Sequence, residues 1–224
     1  MFVPKASGEL RMCVDYRHLN AITVLDQYPL PRIEELIDQV GRSHYFSKLD
    51  LHSGFHQIRG HPAHILRTAF KTKYGTFQFK VMPFGLCNAP ATFQRTMDLI
   101  FGDLREIAGA YMDDVLIFSQ TLEDHIRDLR IVYKKLEAEK LYANPEKCTF
   151  AQPEVDYCGF VVGEDGVRPQ SEKLAVVRVW PTPTNPTEVR SFLGLCGFYQ
   201  RFVEGYATIA APLTSLLKKE LQWN

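Results

Sequence analysis

The stretch Ala108–Ser119, AGAYMDDVLIFS, constrains the fold more than any other part of the chain, because two adjacent carboxylates, Asp113 and Asp114, stand between two short apolar runs. Alternating apolar residues up to Met112 and again from Val115 to Phe118 predict two strands, which puts the acidic pair at the tip of a hairpin partly sunk in a core. Two neighbouring anions in such a place repel each other and lose hydration, and a bound divalent cation is the usual compensation. A plainer reading stands beside this one. Asp is favoured in turns for backbone hydrogen bonding alone, so a solvated hairpin tip would look the same.

Composition narrows the classes. With 224 residues, 46% hydrophobic and 23% charged, the chain can bury a substantial core, as one large domain or two to three small subdomains. Lys+Arg 26 balance Asp+Glu 26, so contact with a nucleic acid must rest on local clusters of cations rather than on net charge. Cys13, Cys87, Cys148, Cys158 and Cys196 form no Cys-x-x-Cys, which argues against a disulfide framework and a zinc ribbon. No apolar run approaches the roughly 20 residues of a membrane span, and MFVPKASGEL lacks the apolar centre of a signal peptide. The expectation is a soluble intracellular protein, cytoplasmic or nuclear, not secreted and without membrane contact.

In chain order, residues 2–20 read as two short strands around a Ser-Gly turn flanked by Lys5 and Arg11, a phosphate site or a solvated tip. Pro31 opens a helix whose Ile33, Leu36, Ile37 and Val40 share a face and which Gly41 ends. Tyr45 to Leu51 then form a buried strand that delivers Asp50 near its end. His52 and His56 have a zinc-like spacing, but the Glu of His-Glu-x-x-His is missing and Gly54 argues against a helix. His61 and His64 suit a loop or helix start. Residues 67–82 alternate around a Tyr-Gly turn, interleaving Arg67, Lys71, Lys73 and Lys80 with aromatics, as a nucleic-acid grip or any half-buried hairpin does.

Asn88 caps a helix with Pro90 in its first turn and Phe93, Met97 and Ile100 on one face. Beyond the acidic hairpin, Thr121 and Asp124 predict a capping box, and Leu122, Ile126, Leu129, Tyr133 and Leu136 an apolar stripe, with Arg127, Arg130, Lys134 and Lys135 opposite. Short strands follow Asn144-Pro145, and after residue 165 a small helical subdomain is interrupted by the linker PTPTNP. The order predicts a β-α-β-β-α-β-like core with an inserted hairpin, which brings Asp50 beside Asp113 and Asp114.

The stretches RMCVDYRHLN, YPLPRIEELID, FSKLDLHSGFHQI, TAFKTKYGTFQF, VMPFGLCNAPATFQRTM, YMDDVLIFS, YCGFVV and RSFLGLCGFYQRF occur in one order over nearly the whole chain. In that order they resemble the reverse transcriptase of Ty3/Gypsy-type long-terminal-repeat retrotransposons. The resemblance implies an α+β right-hand polymerase with a ferredoxin-like palm sheet: fingers from 1–25 and 58–88, palm from 26–57 and 89–164, thumb and the start of a connection from 165–224. It implies an RNA-directed DNA polymerase acting on an RNA or DNA template with primer and deoxynucleoside triphosphates.

Residue by residue, Asp50, Asp113 and Asp114 match the family's catalytic carboxylates for two Mg²⁺ ions, with Mn²⁺ able to substitute. Phe55 matches the aromatic gate against a ribose 2′-hydroxyl, and Lys5, Arg11, Phe84, Tyr111 and Met112 the nucleotide pocket. Cys158 and Gly159 match the primer grip. The family has a further fingers helix and strand before the position of Phe2, and continues beyond LQWN into a connection and ribonuclease H within a polyprotein. The expectation is therefore an N-terminally truncated fingers region, native fusion to those domains, and, as the alternative to activity, a catalytically silent remnant that binds nucleic acid or a partner.

Overall fold

Strand alternation decides the centre of the molecule. The computed structural model describes residues 2–4, 8, 10–31, 33–41 and 43–218. It divides into two units, residues 1–158 with 163–165, and residues 159–162 with 166–224.

The first unit begins with β1 (Phe2–Pro4) and β2 (Leu10–Met12), an antiparallel pair, followed by α1 (Arg17–Ile22) and α2 (Ile33–Val40). It continues with β3 (Tyr45–Asp50), the small hairpin β4 (Phe70–Thr72) and β5 (Gly75–Phe77), then α3 (Ala89–Phe101), β6 (Ala108–Tyr111), β7 (Asp114–Ser119), α4 (Leu122–Ala138), β8 (Thr149–Gln152) and β9 (Glu154–Tyr157). The main sheet has the order β6-β7-β3-β8 and is antiparallel throughout. Taken as β3-α3-β6-β7-α4-β8, this is the split β-α-β-β-α-β arrangement expected from the sequence.

Period-two alternation gives the sheet two chemically different faces. Leu49, Val115 and Ile117 join Phe93, Met97 and Ile100 of α3 and Val132 and Leu136 of α4 in one core cluster. Each such side chain contributes about 1.5–3 kcal/mol on burial. Lys48, Asp50 and Asp114 fall on the alternate positions, away from the helices.

Several local expectations change. Residues 17–20, read as the end of a strand pair, belong to the helix α1. Asn88 is the N-cap residue of α3, its carbonyl accepting the Thr92 N–H (2.9 Å), but its side chain makes no capping bond: Oδ1 accepts the Asp26 N–H (3.0 Å) and Nδ2 donates to Val24 O (2.8 Å), so it ties down the preceding loop. In α4, capped as expected by Thr121, the predicted stripe is rotated. Leu122, Ile126 and Tyr133 are exposed, Leu136 is buried and Leu129 packs against the core as predicted, and His125, Asp128 and Val132 fill the rest of the buried face. Two polar residues displace the apolar ones because the sheet offers them hydroxyl partners. Val40 of α2 is buried; Ile33, Leu36 and Ile37 lie outside the described side chains, as does Lys5 altogether.

The second unit contains β10 (Phe160–Gly163, apart from its last residue), paired with β11 (Gly166–Pro169), and α5 (Ser171–Arg178), α6 (Pro186–Gly197) and α7 (Tyr206–Ser215). Asn185 caps α6 by accepting the Glu188 N–H (3.0 Å), with Pro186 in the first turn where no donor is wasted. Its aromatic centre is Phe160, whose ring lies 4.9 Å from Phe198 and 5.7 Å from Tyr199. Among the described residues no helix is long and apolar enough to cross a membrane.

Candidate active site

The register of β3 on β7 brings the acidic residues together. Asp50 is the direct partner of Asp114, as Lys48 is of Leu116 and Phe46 of Phe118. Directly opposed residues project from the same face, so both carboxylates share a side of the sheet. Asp113 lies in the turn between β6 and β7, exposed, and its carbonyl accepts the Leu51 N–H (2.9 Å), which binds the turn to the chain leaving β3.

That turn is closely constrained. Met112 has φ 55°, in the left-handed region that side chains with a Cβ seldom occupy. Gly54, in the 3₁₀ turn Gly54–Gln57, backs against it: a Cβ there would lie 2.9 Å from the Asp113 Cβ and 3.0 Å from the Phe93 ring. Gly54→Ala therefore pushes on the acidic turn and on the core together. We expect a loss of about 1–3 kcal/mol of stability by chemical denaturation, with the hairpin displaced.

The electrostatics are uneven. Lys48 Nζ lies 3.2 Å from Asp114 Oδ1. Burial still holds the Asp114 carboxyl above the ordinary carboxylate range; Lys48 draws it back down, and Asp113 and Asp50 add to the rise. Burial, reinforced by the Asp114 charge, pushes the nearby Cys158 thiol up to about 12. Cys158 is thus a neutral thiol beside the acidic group, and the buried Tyr157 hydroxyl donates to the Asp114 carbonyl (3.4 Å).

Asp50 and Asp113 open onto a cleft of about 600 Å³ that Arg11, Phe55, Phe84 and Lys147 also line. Phe55 packs between Phe84 (5.3 Å) and Phe93 (5.4 Å), and the Arg11 guanidinium lies over the Phe84 ring at 4.7 Å. One wall is a loop that sequence reasoning passed over. Asn144 N–H donates to Asp50 O (2.8 Å), His52 N–H to Tyr142 O (2.8 Å), and the Gln57 amide both donates to Tyr142 O and accepts from Tyr142 N–H. The Asn-Pro step, read only as a return to strands, places Asn144, Glu146 and Lys147 at the cleft.

The family model described as "Reverse transcriptase (RNA-dependent DNA polymerase)" matches residues 3–162, well over half of the chain. The chain belongs to the reverse transcriptase family. It is 43% identical over 219 residues to the retrovirus-related Pol polyprotein from transposon 297 of Drosophila melanogaster, covering 96% of this chain and 21% of that one. It is 39% identical over 224 residues to the Tf2-3 transposon polyprotein of Schizosaccharomyces pombe, all of this chain and 17% of that one. It thus spans about a fifth of these relatives, which bear out the retrotransposon type read from its motifs. Among solved structures, a foamy viral protease-reverse transcriptase in complex with double-stranded DNA aligns with TM-score 0.91 at 26% identity, over 100% of this chain and 39% of that one. Another, in complex with an RNA/DNA hybrid, aligns with TM-score 0.84 at 26% identity, over 99% of this chain and 30% of that one. The α+β polymerase fold is that of this family.

Of the residues matched to reverse transcriptase roles, the structure gathers Asp50, Asp113, Arg11, Phe55 and Phe84 around one cleft, with Asp114 beside Asp50. Tyr111 and Met112 lead into the acidic turn, and Lys5 lies outside the described residues. Cys158 and Gly159 are consecutive positive-φ residues, the backbone of a tight turn, the first beside Asp114 and the second in the other unit, where its carbonyl accepts the Tyr199 hydroxyl (3.2 Å). His56 stacks with Phe79 (6.0 Å) and meets Phe84 edge-on (5.1 Å), so it serves the aromatic wall.

Proposed function

We propose that this chain is the polymerase part of a longer retrotransposon polyprotein and adds deoxynucleotides to a primer 3′-hydroxyl on an RNA or DNA template. The observation that carries the reading is the cross-strand pairing of Asp50 with Asp114 and the placing of Asp113 at a cleft shared with Arg11 and Phe55.

Carboxylate oxygens suit a hard divalent ion such as Mg²⁺, whose remaining positions water and phosphate fill. The donors fit in kind, although among the described residues no three acidic, His or Cys side chains converge as a ready ligand cluster. Asp50 and Asp113, which face the cleft, would hold the metal, with Asp114, already engaged by Lys48, the peripheral ligand. When bound, two such ions lower the pKa of the attacking hydroxyl and stabilise the leaving pyrophosphate. Arg11 offers cationic charge to the triphosphate. Phe55, wedged between Phe84 and Phe93, is a rigid wall against the extra hydroxyl of a ribonucleotide.

In this reading residues 1–25 and 58–88 are fingers, 26–57 and 89–164 palm, and 165–224 thumb with the start of a connection. Cys158 and Gly159 contact the primer end. Primer extension on a homopolymer RNA template with Mg²⁺ tests it: product is expected, and folded protein that yields none favours the silent remnant. Phe55→Ala should lower discrimination against ribonucleotides by roughly tenfold to 10²-fold, measured as the ratio of kcat/KM for matched deoxy- and ribonucleotides.

A further inference from the structure

We propose that Gln94, oriented by Asp98 and Tyr28, is a positioning residue that holds the Met112–Asp113 turn in the shape the metal-dependent reaction needs; the catalytic part of this inference rests on the polymerase reading above. Gln94 is fully buried on α3. A buried glutamine normally satisfies its amide wherever it can. This one does so on both sides of Tyr111, in a different element: its Oε1 accepts the Met112 N–H (2.8 Å) and its Nε2 donates to the Ala110 carbonyl (3.0 Å).

The partners dictate which way the amide faces. Met112 N–H can only donate, so an oxygen must meet it; Ala110 O can only accept, so a nitrogen must meet that. The second Nε2 hydrogen goes to Asp98 Oδ1 (2.9 Å), while Asp98 Oδ2 accepts the Tyr28 hydroxyl (2.6 Å). Tyr28 is itself held, with the Arg95 guanidinium 4.7 Å from its ring and that same arginine bonded to Asp26 (2.8 Å). The chain of bonds therefore runs from Tyr28 through Asp98 and Gln94 to the strained Met112 amide, one residue before Asp113. A clamp on both flanks of Tyr111 fixes the direction in which the turn leaves β6, and with it the Asp113 carboxylate. Glutamate could not replace Gln94, since the oxygen in place of Nε2 would face both the Ala110 carbonyl and the Asp98 carboxylate.

The test uses the full 224-residue chain, with Gln94→Leu, Gln94→Glu and Tyr28→Phe as variants and Leu99→Ala, exposed on the same helix, as control. Hydrogen exchange at the Met112 amide, melting temperature, primer–template affinity, and kcat and KM for a deoxynucleotide with Mg²⁺ are measured. The Gln94 variants should exchange the Met112 amide faster and lose kcat on the order of 10²-fold, as misplacement of a reacting group by about 1 Å does, with KM and primer–template affinity unchanged. Tyr28→Phe should move both readouts in the same direction by less, at an unchanged melting temperature, and Leu99→Ala should move neither. A folded Gln94→Leu with wild-type Met112 exchange or wild-type kcat overturns the proposal. If the Gln94 variants fail to fold, Tyr28→Phe decides, and wild-type behaviour in it counts against the clamp. If the wild-type chain makes no product, the polymerase reading fails, while Met112 exchange still decides whether Gln94 holds the turn.

Discussion

Asp113→Asn is expected to lower the rate of nucleotide incorporation on the order of 10³-fold, the scale of losing one preorganised electrostatic contact to the reacting group, while leaving the melting temperature of the metal-free protein nearly unchanged. The two expectations differ because Asp113 is exposed at a turn whose backbone, not its carboxylate, makes the structural bonds: its carbonyl accepts from Leu51 N–H. Asp114→Asn separates chemistry from stability in the other direction. Its carboxyl is raised above 3.8, chiefly by burial, so the folded state holds that proton more tightly than the unfolded chain does. Such a group contributes stability that is present below the unfolded pKa and is lost as pH rises through the folded one. At neutral pH and without divalent ions, Asp114→Asn should therefore be at least as stable as the wild type, the difference closing as pH falls to about 3.8. Added Mg²⁺ should raise the wild-type melting temperature and do so less in either variant. An Asp113→Asn protein that incorporates at near wild-type rate would remove that residue from the proposed metal site.

The acidic centre was legible because strand chemistry is periodic. Once Tyr45 to Leu51 and Val115 to Phe118 are strands, a side-chain period of two sets Asp50 and Asp114 on the face opposite Leu49 and Val115, and the observed register pairs them directly. What escaped the sequence depended on partners far along the chain. Gln94 reads as an ordinary polar helix position until the Met112 amide is found against it, 18 residues away. Gly54 reads as a helix breaker, whereas its missing Cβ leaves room for Asp113 and Phe93. The Asn144–Lys147 segment looks like a turn into the next strand until Asn144 is seen bonded to Asp50. The misplaced stripe of α4 has the same origin. Counting apolar residues assigned its buried face to Ile126 and Tyr133, because nothing local reveals that His125 meets Ser47, 78 residues earlier.

That buried histidine sets the second large effect: His125→Ala should cost about 3–5 kcal/mol in chemical denaturation, through a cavity and an unpaired hydroxyl. The bonds fix their own direction. Ser119 Oγ donates its single hydrogen to Asp128 Oδ2 (2.8 Å), so toward His125 Nδ1 (3.0 Å) it can only accept, and Nδ1 carries the proton. His125 Nε2 is then free to accept from Ser47 Oγ (2.6 Å), which in turn accepts the Ala151 N–H (2.9 Å). Ala151 lies where the β3–β8 register shifts, so the chain of bonds pairs an amide that the ladder leaves out. Protonating Nε2 would turn it from acceptor to donor, so the Ser47 hydroxyl would have to rotate and give up the bond it donates there. Burial lowers the His125 pKa below 6.5, and Asp128 only partly opposes it. A base depressed in the folded state leaves the unfolded chain with more bound protons, so its contribution is complete above 6.5 and is lost as pH falls below that value. The stability difference between wild type and His125→Ala should accordingly shrink on acidification below pH 6.5 and stay level above it. A difference independent of pH across that window would mean that His125 is not held neutral by Ser47 and Ser119.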